Sequence, residues 1–485
     1  MSLFYNTICK IISYNVNHDW YSPFRSPFES SSIGTGFFIN DQGYILTCCH
    51  VVEDSIKLEI TIPSLGKNIY KAEIISISPD YDLALLKTEY ENKNNFLELA
   101  DSDLIKQGDN VSAVGYPLGQ DNLKLTSGII SGGQDHLIQT DAPINSGNSG
   151  GPLVNKNNKV IAVNSQKISA NTADNIGYAV PINFYKILKN EFEIVKSIIY
   201  KPIFLCSFSK IDKLLLEYNN LLESKGFLIT KINENCCLYK AGIRNYDILL
   251  EINELEIDNF GDVKVSWNIE KINLKYLLYR FKLGEKIKIK YFSKSNKGEK
   301  EIDLILEYPK FELKKYYLNF NNTNIDYEIL SGLVICNFSL NHCSSDQIMP
   351  SGINKKNIME LLSYTKPEKR FKKKILLVNV LPGSYTYSNN DIDAGSFLEK
   401  INDKEITNLN ELRNNLLDIK NNDSKFIKLT FSDSKIIILN FNNLKEEHLK
   451  LSNDYSYYTS ELFEKLFNIY KVNYSNKSDR SFLLQ

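Results

Sequence analysis

Between residues 5 and 185 the chain is written in short apolar stretches separated by turn residues: "GTGFFIN", "GYILTCCHVV", "KLEITI", "KAEIISI", "DLALLKT", "NVSAVGY", "SGIISGG", "KVIAVNS" and "NIGYAVP". No amphipathic helical pattern interrupts them until "NFYKILKNEFEIVKSI" at 183–198. Strands this short and closely spaced bury their apolar faces only by closing on one another. The pattern therefore predicts an all-β barrel or sandwich that ends in that helix.

Charge excludes some partners. Lys and Arg total 57 against 58 for Asp and Glu, a formal net charge of −1, so nothing global recruits nucleic acid or an anionic membrane. A length of 485 residues has room for about two to four domains. The opening "MSLFYNTICKIISYNVNHDW" has no basic start, apolar run and small-residue cleavage site, and no later stretch approaches ~18 uninterrupted apolar residues. The expected location is intracellular, cytoplasmic or nuclear. Eight scattered cysteines show no C-x-x-C spacing, so reduced thiols are expected, and Cys48 and Cys49 read as small buried strand residues.

The chemistry concentrates around "QTDAPINSGNSGGPLV" at 139–154. Glycines crowd into any tight turn, but here they also allow the amides of Gly147 and Ser149 to point into one small space, where they would stabilise an oxyanion. A serine hydroxyl needs a base to become a nucleophile, and histidine is the usual one. Of His18, His50, His136, His342 and His448, only His50 stands at the end of an apolar strand, where it is presented to a cleft. A carboxylate must then fix the imidazole tautomer. Asp82 opens the strand "DLALLK"; Asp80, two residues earlier, shares its strand face and stays open as an alternative. The order His50, Asp82, Ser149 within one β-rich region is that of the two-barrel serine proteases.

Further along, "ILLEINELEI" at 248–257 and "SFLEKINDKEI" at 396–406 share a pattern, each preceded by Ala-Gly. The self-similarity predicts two copies of one small module. The basic run "KPEKRFKKK" at 366–374 reads as a solvated loop, with a nuclear signal or an anion patch as the alternatives. The aromatic segment "DWYSPFRSPF" at 19–28 reads either as an irregular loop or as a contact between copies.

Taken together, "SSIGTGFFINDQGYILTCCHVV", "DYDLALLK", "VSAVGYPLG", "QTDAPINSGNSGGPL" and "NIGYAVP" resemble the HtrA/DegP (Deg) serine proteases. The resemblance implies a mainly β chain: a chymotrypsin-like double β-barrel at 1–198, a PDZ domain at 199–310, a second, degenerate PDZ-like α+β module at 311–460 and a tail at 461–485. The stretch "GDVKVSW…LKYLLYRFKLGEKIKIKYF" and the long tail are more similar to the plant nucleolar-type Deg proteases, which carry such a second module. By carry-over, His50 is the general base, Asp82 orients it, Ser149 is the nucleophile, and Gly147 and Ser149 supply the oxyanion hole. Ile144, Asn164, Ser165, Gln166, Ile176, Gly177, Tyr178 and Ala179 would line the substrate cleft. No acidic residue occupies "PINSGN", so a small or medium apolar side chain is expected at the cleaved position.

The implied function is ATP-independent endoproteolysis of unfolded or exposed peptide segments through an acyl-enzyme, without metal or cofactor, in a homo-oligomer. The alternatives are a latent scaffold or chaperone-like peptide-binding protein and, third, an esterase on the same triad. Two departures from the family stand out. "KPIFLCSF" at 201–208 lacks the glycine whose neighbouring amides hold a peptide carboxylate. The connection between "SGIISG" and "IQTD" is only a few residues long, too short for the relay loop of many relatives.

Overall fold

The computed structural model describes residues 2–90, 95–165, 176–218, 225–389, 392–422 and 424–468. After a short helix, Ser2–Thr7, six strands form the first barrel: β1 (Ile8–Asn17), β2 (Phe28–Phe38), β3 (Tyr44–Thr47), β4 (Ser55–Thr61), β5 (Ile69–Ser78) and β6 (Leu83–Thr88). They run β5-β4-β1-β2-β3-β6 and close through β5 and β6. Alternation makes them a barrel: along β4, Leu58 and Ile60 are buried while Lys57 pairs with Glu59 at 2.8 Å on the other face.

The second barrel is closed by β7 (Asn110–Gly115), β8 (Lys124–Gln134), β9 (Leu137–Thr140), β10 (Pro152–Asn155), β11 (Val160–Ser165) and β12 (Gly177–Pro181). Its core is made of small and branched residues, among them Val111, Ile130, Ile138, Leu153 and Ile161. The expected helix follows as two short pieces, Ile182–Ile187 and Lys189–Phe192, after which Ser197–Ile198 pairs in parallel with β5. These are the two barrels that the spacing of apolar stretches and the His, Asp, Ser order pointed to.

The chain divides into two compact units. The first holds both barrels and continues to Lys310, with residues 317–323. Beyond the barrels it contains a sheet ordered Cys206–Ser209, Phe227–Ile232, Ile248–Ile252, Lys286–Ser293 and Gly298–Ile305. The connection that looked too short for a relay loop is a tight hairpin, with Gln134 opposite Leu137. At its tip the His136 ring stacks on Tyr279, with centroids 3.9 Å apart.

The second unit comprises residues 18–27, 311–316 and 324–485. Its sheet runs Tyr327–Leu330, Leu333–Asn337, Ile375–Val380, Phe397–Ile401, Phe426–Phe431 and Ile436–Asn440. Helix Leu409–Asn421 buries Leu409, Leu412, Leu416 and Ile419, one stripe at helical spacing, and Asn408 caps it by accepting from the Glu411 amide.

Several expectations change here. Residues beyond 460 were expected as a tail, yet helix Glu461–Phe467 buries Leu462, Phe463 and Leu466 in this unit's core. Two aromatics of 19–28 are not free for contact: Trp20 and Tyr21 are buried, their rings set edge-on to His342, while Phe28 is exposed. The basic run is partly engaged within its own unit. Arg370 bonds the Thr365 carbonyl, its own carbonyl accepts from Glu312 and Leu313, and Lys373 pairs with Glu312 at 3.5 Å.

Candidate active site

β3 ends at Thr47 and passes into a one-turn helix, Cys49–Val52, that carries His50. The His50 Nδ1 lies 2.9 Å from each Asp82 carboxylate oxygen, and the His50 amide donates to Oδ1 at 3.1 Å. Asp82 sits just before β6 with φ +53°, a left-handed conformation that a short polar side chain accepts more readily than most. Ser165, at the end of β11, donates its hydroxyl to Asp82 Oδ2 at 2.7 Å. Asp80 faces elsewhere and accepts from the Lys201 amide at 3.0 Å, so the alternative left open by the strand spacing falls to Asp82.

A carboxylate on Nδ1 fixes the proton there and leaves Nε2 as the basic nitrogen. Three other histidines sit in a different setting. Burial pushes His136, His342 and His448 down to about 4, and His448 stacks on Phe463 at 3.8 Å.

The loop carrying Ser149 is fixed carbonyl by carbonyl. Asn145 O accepts from the Asn148 amide (2.9 Å), Ser146 O from Leu118 (2.5 Å), Gly147 O from the Thr35 hydroxyl (2.6 Å), Asn148 O from Gly151 (3.0 Å) and Ser149 O from the Thr35 amide (2.9 Å). In a trans peptide the N–H points opposite the C=O, so fixing the carbonyls of residues 146 and 148 fixes where the amides of Gly147 and Ser149 point. Gly147 holds φ +92°, and a Cβ there would lie 2.1 Å from the Tyr116 carbonyl. Only glycine fits.

Gly150 seats this loop on the segment before His50. With φ +84°, its Cβ would fall 2.1 Å from Thr47 Oγ1 and 3.0 Å from the Cys48 amide nitrogen. The serine turn and the histidine turn thus share one seam, and Ser149 is buried beside it.

The residues expected along the cleft divide. Ile144 is buried with Ala142 and Ala179 in the second barrel's core, and a Cβ on Gly177 would sit 2.9 Å from Ile144 Cδ1, an apolar setting. Ile176 and Tyr178 are half-buried. Asn164 serves the scaffold: its carbonyl accepts from the Gly150 amide and the Cys48 thiol, and its side chain donates to Pro152 O. Ser165 stands behind Asp82. Gln166 lies outside the described residues.

Three residues organise the site: Thr35, which the sequence reading passed over, and Ser165 and Cys48, to which it gave other roles. Thr35 holds two of the loop carbonyls and also accepts from the Tyr116 amide at 3.1 Å; its signal was a threonine between two glycines inside an apolar strand. Ser165 supports Asp82. Cys48 is fully buried and donates to Asn164 O at 3.2 Å, its thiol held well above the ordinary range by burial and the Asp82 charge. Rather than a strand, Cys48 and Cys49 occupy the turn into the His50 helix.

A trypsin-like peptidase domain is recognised over residues 34–163, and a PDZ domain over 318–459. A probable periplasmic serine endoprotease of DegP-like type from Chlamydia trachomatis serovar D is 32% identical over 266 residues, 53% of this chain and 52% of that protein. The serine protease Do-like HtrA of Bacillus subtilis is 30% identical over 287 residues, 55% of this chain and 61% of its own length. The chain thus spans little more than half the length of such relatives. A solved HtrA-type protease, a serine-to-alanine variant of AlgW with a decapeptide, superposes with a TM-score of 0.50 at 22% identity, over 64% of this chain and 97% of that one, a likeness of fold.

The expected cytoplasmic or nuclear location is corrected by these comparisons, because relatives from Chlamydia and Rickettsia are named periplasmic. That expectation rested on the first twenty residues, which form a helix and barrel strand and so report on the barrel, not on a compartment. Among the described residues no helix is long and apolar enough to cross a membrane. The trypsin-like peptidase domain, the PDZ domain and the DegP and HtrA relatives together support membership of the HtrA family.

Proposed function

We propose that this chain is an ATP-independent serine endopeptidase of HtrA type that cleaves unfolded or exposed peptide segments, in protein quality control or regulated proteolysis. The supporting observation is the Asp82 carboxylate seated on His50 Nδ1 at 2.9 Å. His50 Nε2 takes the Ser149 proton as Oγ attacks the peptide carbonyl, and the amides of Gly147 and Ser149 receive the oxyanion. Asp82 stabilises the imidazolium, which then protonates the leaving amine. Water, activated by the same imidazole, releases the acyl group.

Residues 1–198 form the protease domain in this reading, 199–310 a PDZ domain and 311–460 a second PDZ-like module, a two-module plan nearest to the plant nucleolar-type Deg proteases. Peptides are the substrate class, as the decapeptide on the AlgW relative supports. The cleft residues are Ile144, Ile176, Gly177, Tyr178 and Ala179, with an apolar preference at the cleaved position. The family resemblance implies a homo-oligomer; Trp20 and Tyr21 are buried within the chain, so assembly does not use these two side chains.

Intact-protein mass spectrometry after fluorophosphonate treatment tests the reading, together with casein digestion. One adduct mapped to Ser149, with casein cleavage, both lost in Ser149→Ala, is expected. No adduct on folded protein would make it a scaffold, and turnover of activated esters without casein cleavage would make it an esterase.

A further inference from the structure

Behind the imidazole, one thiol, one ring nitrogen and one carboxylate converge. Cys48, His50 and Asp82 each offer a ligand atom, and the three atoms lie within 4.8 Å of one another. A tetrahedral zinc ion with one sulfur, one nitrogen and one oxygen ligand sets those atoms about 3.4–3.6 Å apart, so small side-chain shifts would suffice. His50 Nδ1 and Asp82 already stand 2.9 Å apart. A thiolate and a carboxylate together balance the charge of a divalent cation, and one soft ligand beside one imidazole suits zinc better than calcium or magnesium.

Access exists on the Asp82 side. A cavity of about 200 Å³ is lined by Tyr81, Asp82, His136 and Ser165, among others, and by no residue of the Ser149 loop.

We propose that Cys48, His50 and Asp82 form an inhibitory site for zinc(II), with the metal on His50 Nδ1. Binding has a defined proton balance. The Cys48 thiol loses its proton to solvent, the imidazole proton moves from Nδ1 to Nε2, and the neutral imidazole, thiolate and carboxylate take the cation. The consequence follows from the tautomer: with Nε2 protonated, His50 has no lone pair for the Ser149 proton. Zinc at this position leaves the fold intact and disables the base. Inhibition, unlike binding, rests on His50 being the base for Ser149.

Two readouts separate binding from consequence. Cobalt(II), which replaces zinc and is coloured, should give a thiolate charge-transfer band with the full chain; Cys48→Ala should lose it, and Cys49→Ala should keep it. Fluorophosphonate labelling of Ser149, compared for each protein with its own metal-free rate, should be suppressed by zinc(II) and restored by a chelator. Cys48→Ala should need at least about tenfold more zinc for the same suppression. If Cys48→Ala does not fold, Cys48→Ser takes its place. No cobalt band in the parent, or a band and zinc response equal in parent and Cys48 variant, overturns the site. A Cys48-dependent band without suppression of labelling overturns the inhibitory role. Absence of labelling without any metal would overturn the protease reading, while the cobalt band would still decide the metal site.

Discussion

Asp82 takes hydrogen bonds from the His50 ring, the His50 amide and the Ser165 hydroxyl. A carboxylate so held cannot swing away from Nδ1, which makes Ser165 a positioning residue. Ser165→Ala removes one hydrogen bond to a charged group, a loss of about 1.5 kcal/mol, or roughly tenfold in rate. The expected outcome is a roughly tenfold fall in kcat for a peptide substrate with KM little changed, and rescue by Ser165→Thr, which keeps the hydroxyl. A rise in KM at constant kcat would instead return Ser165 to the cleft. His50, Asp82 and Ser149 were legible because each stands at a strand edge inside a recognisable motif. The role of Ser165 was not. Neighbours on a strand face opposite sides, so Asn164 and Ser165 could not both line one surface, and spacing does not say which face meets the triad.

Among the elements, the repeat read at 248–257 and 396–406 is a repeat of backbone as well as of sequence. Ile248–Ile252 turns into Leu255–Glu256 through Asn253 and Glu254 at φ +46° and +65°; Phe397–Ile401 turns into Lys404–Glu405 through Asn402 and Asp403 at the same two angles. Both central residues left-handed is the type I′ hairpin turn, in which Asn-Gly is the preferred pair. Even a register shift recurs, between Leu249 and Glu251 and between Leu398 and Lys400. Glu254 pays the steric cost of its Cβ at positive φ, about 1–2 kcal/mol per residue for an ordinary L side chain. Glu254→Gly should therefore stabilise the first unit by about 0.5–1 kcal/mol after the added freedom of the unfolded glycine is subtracted. Urea unfolding would measure it, and a lower midpoint for the glycine variant would refute the turn assignment. The Ile-Asn pattern made the repeat visible from sequence. Helix Glu461–Phe467 was not visible, because seven residues with Leu462, Phe463 and Leu466 on one face look the same in a free tail as in a core.

Across the whole molecule, neutral buried histidines divide unequally between the two units. His136 belongs to the first, while His342 and His448 belong to the second. Burial lowers each to about 4, and the His342 Nδ1 accepts from the Ser339 amide at 3.2 Å, a bond that only an unprotonated nitrogen can accept. In the unfolded chain each returns to about 6.5. Below that value the unfolded state binds more protons, so the stabilisation is complete above about pH 6.5 and is lost as the pH falls toward 4. From pH 8 to pH 5 each histidine gives up roughly 2 kcal/mol, so these groups cost the second unit about twice what they cost the first. The two tryptophans make this measurable, because Trp20 lies in the second unit beside His342 and Trp267 lies in the first. With Trp267→Phe, fluorescence follows the second unit; with Trp20→Phe, it follows the first. Urea midpoints should fall for both variants between pH 8 and pH 5, and further for the Trp20 reporter. His342→Gln and His448→Gln should flatten that fall, since neither side chain then gains a proton on unfolding. Equal falls at the two reporters, or an unchanged fall in the glutamine variants, would mean that other groups set the acid response of the second unit.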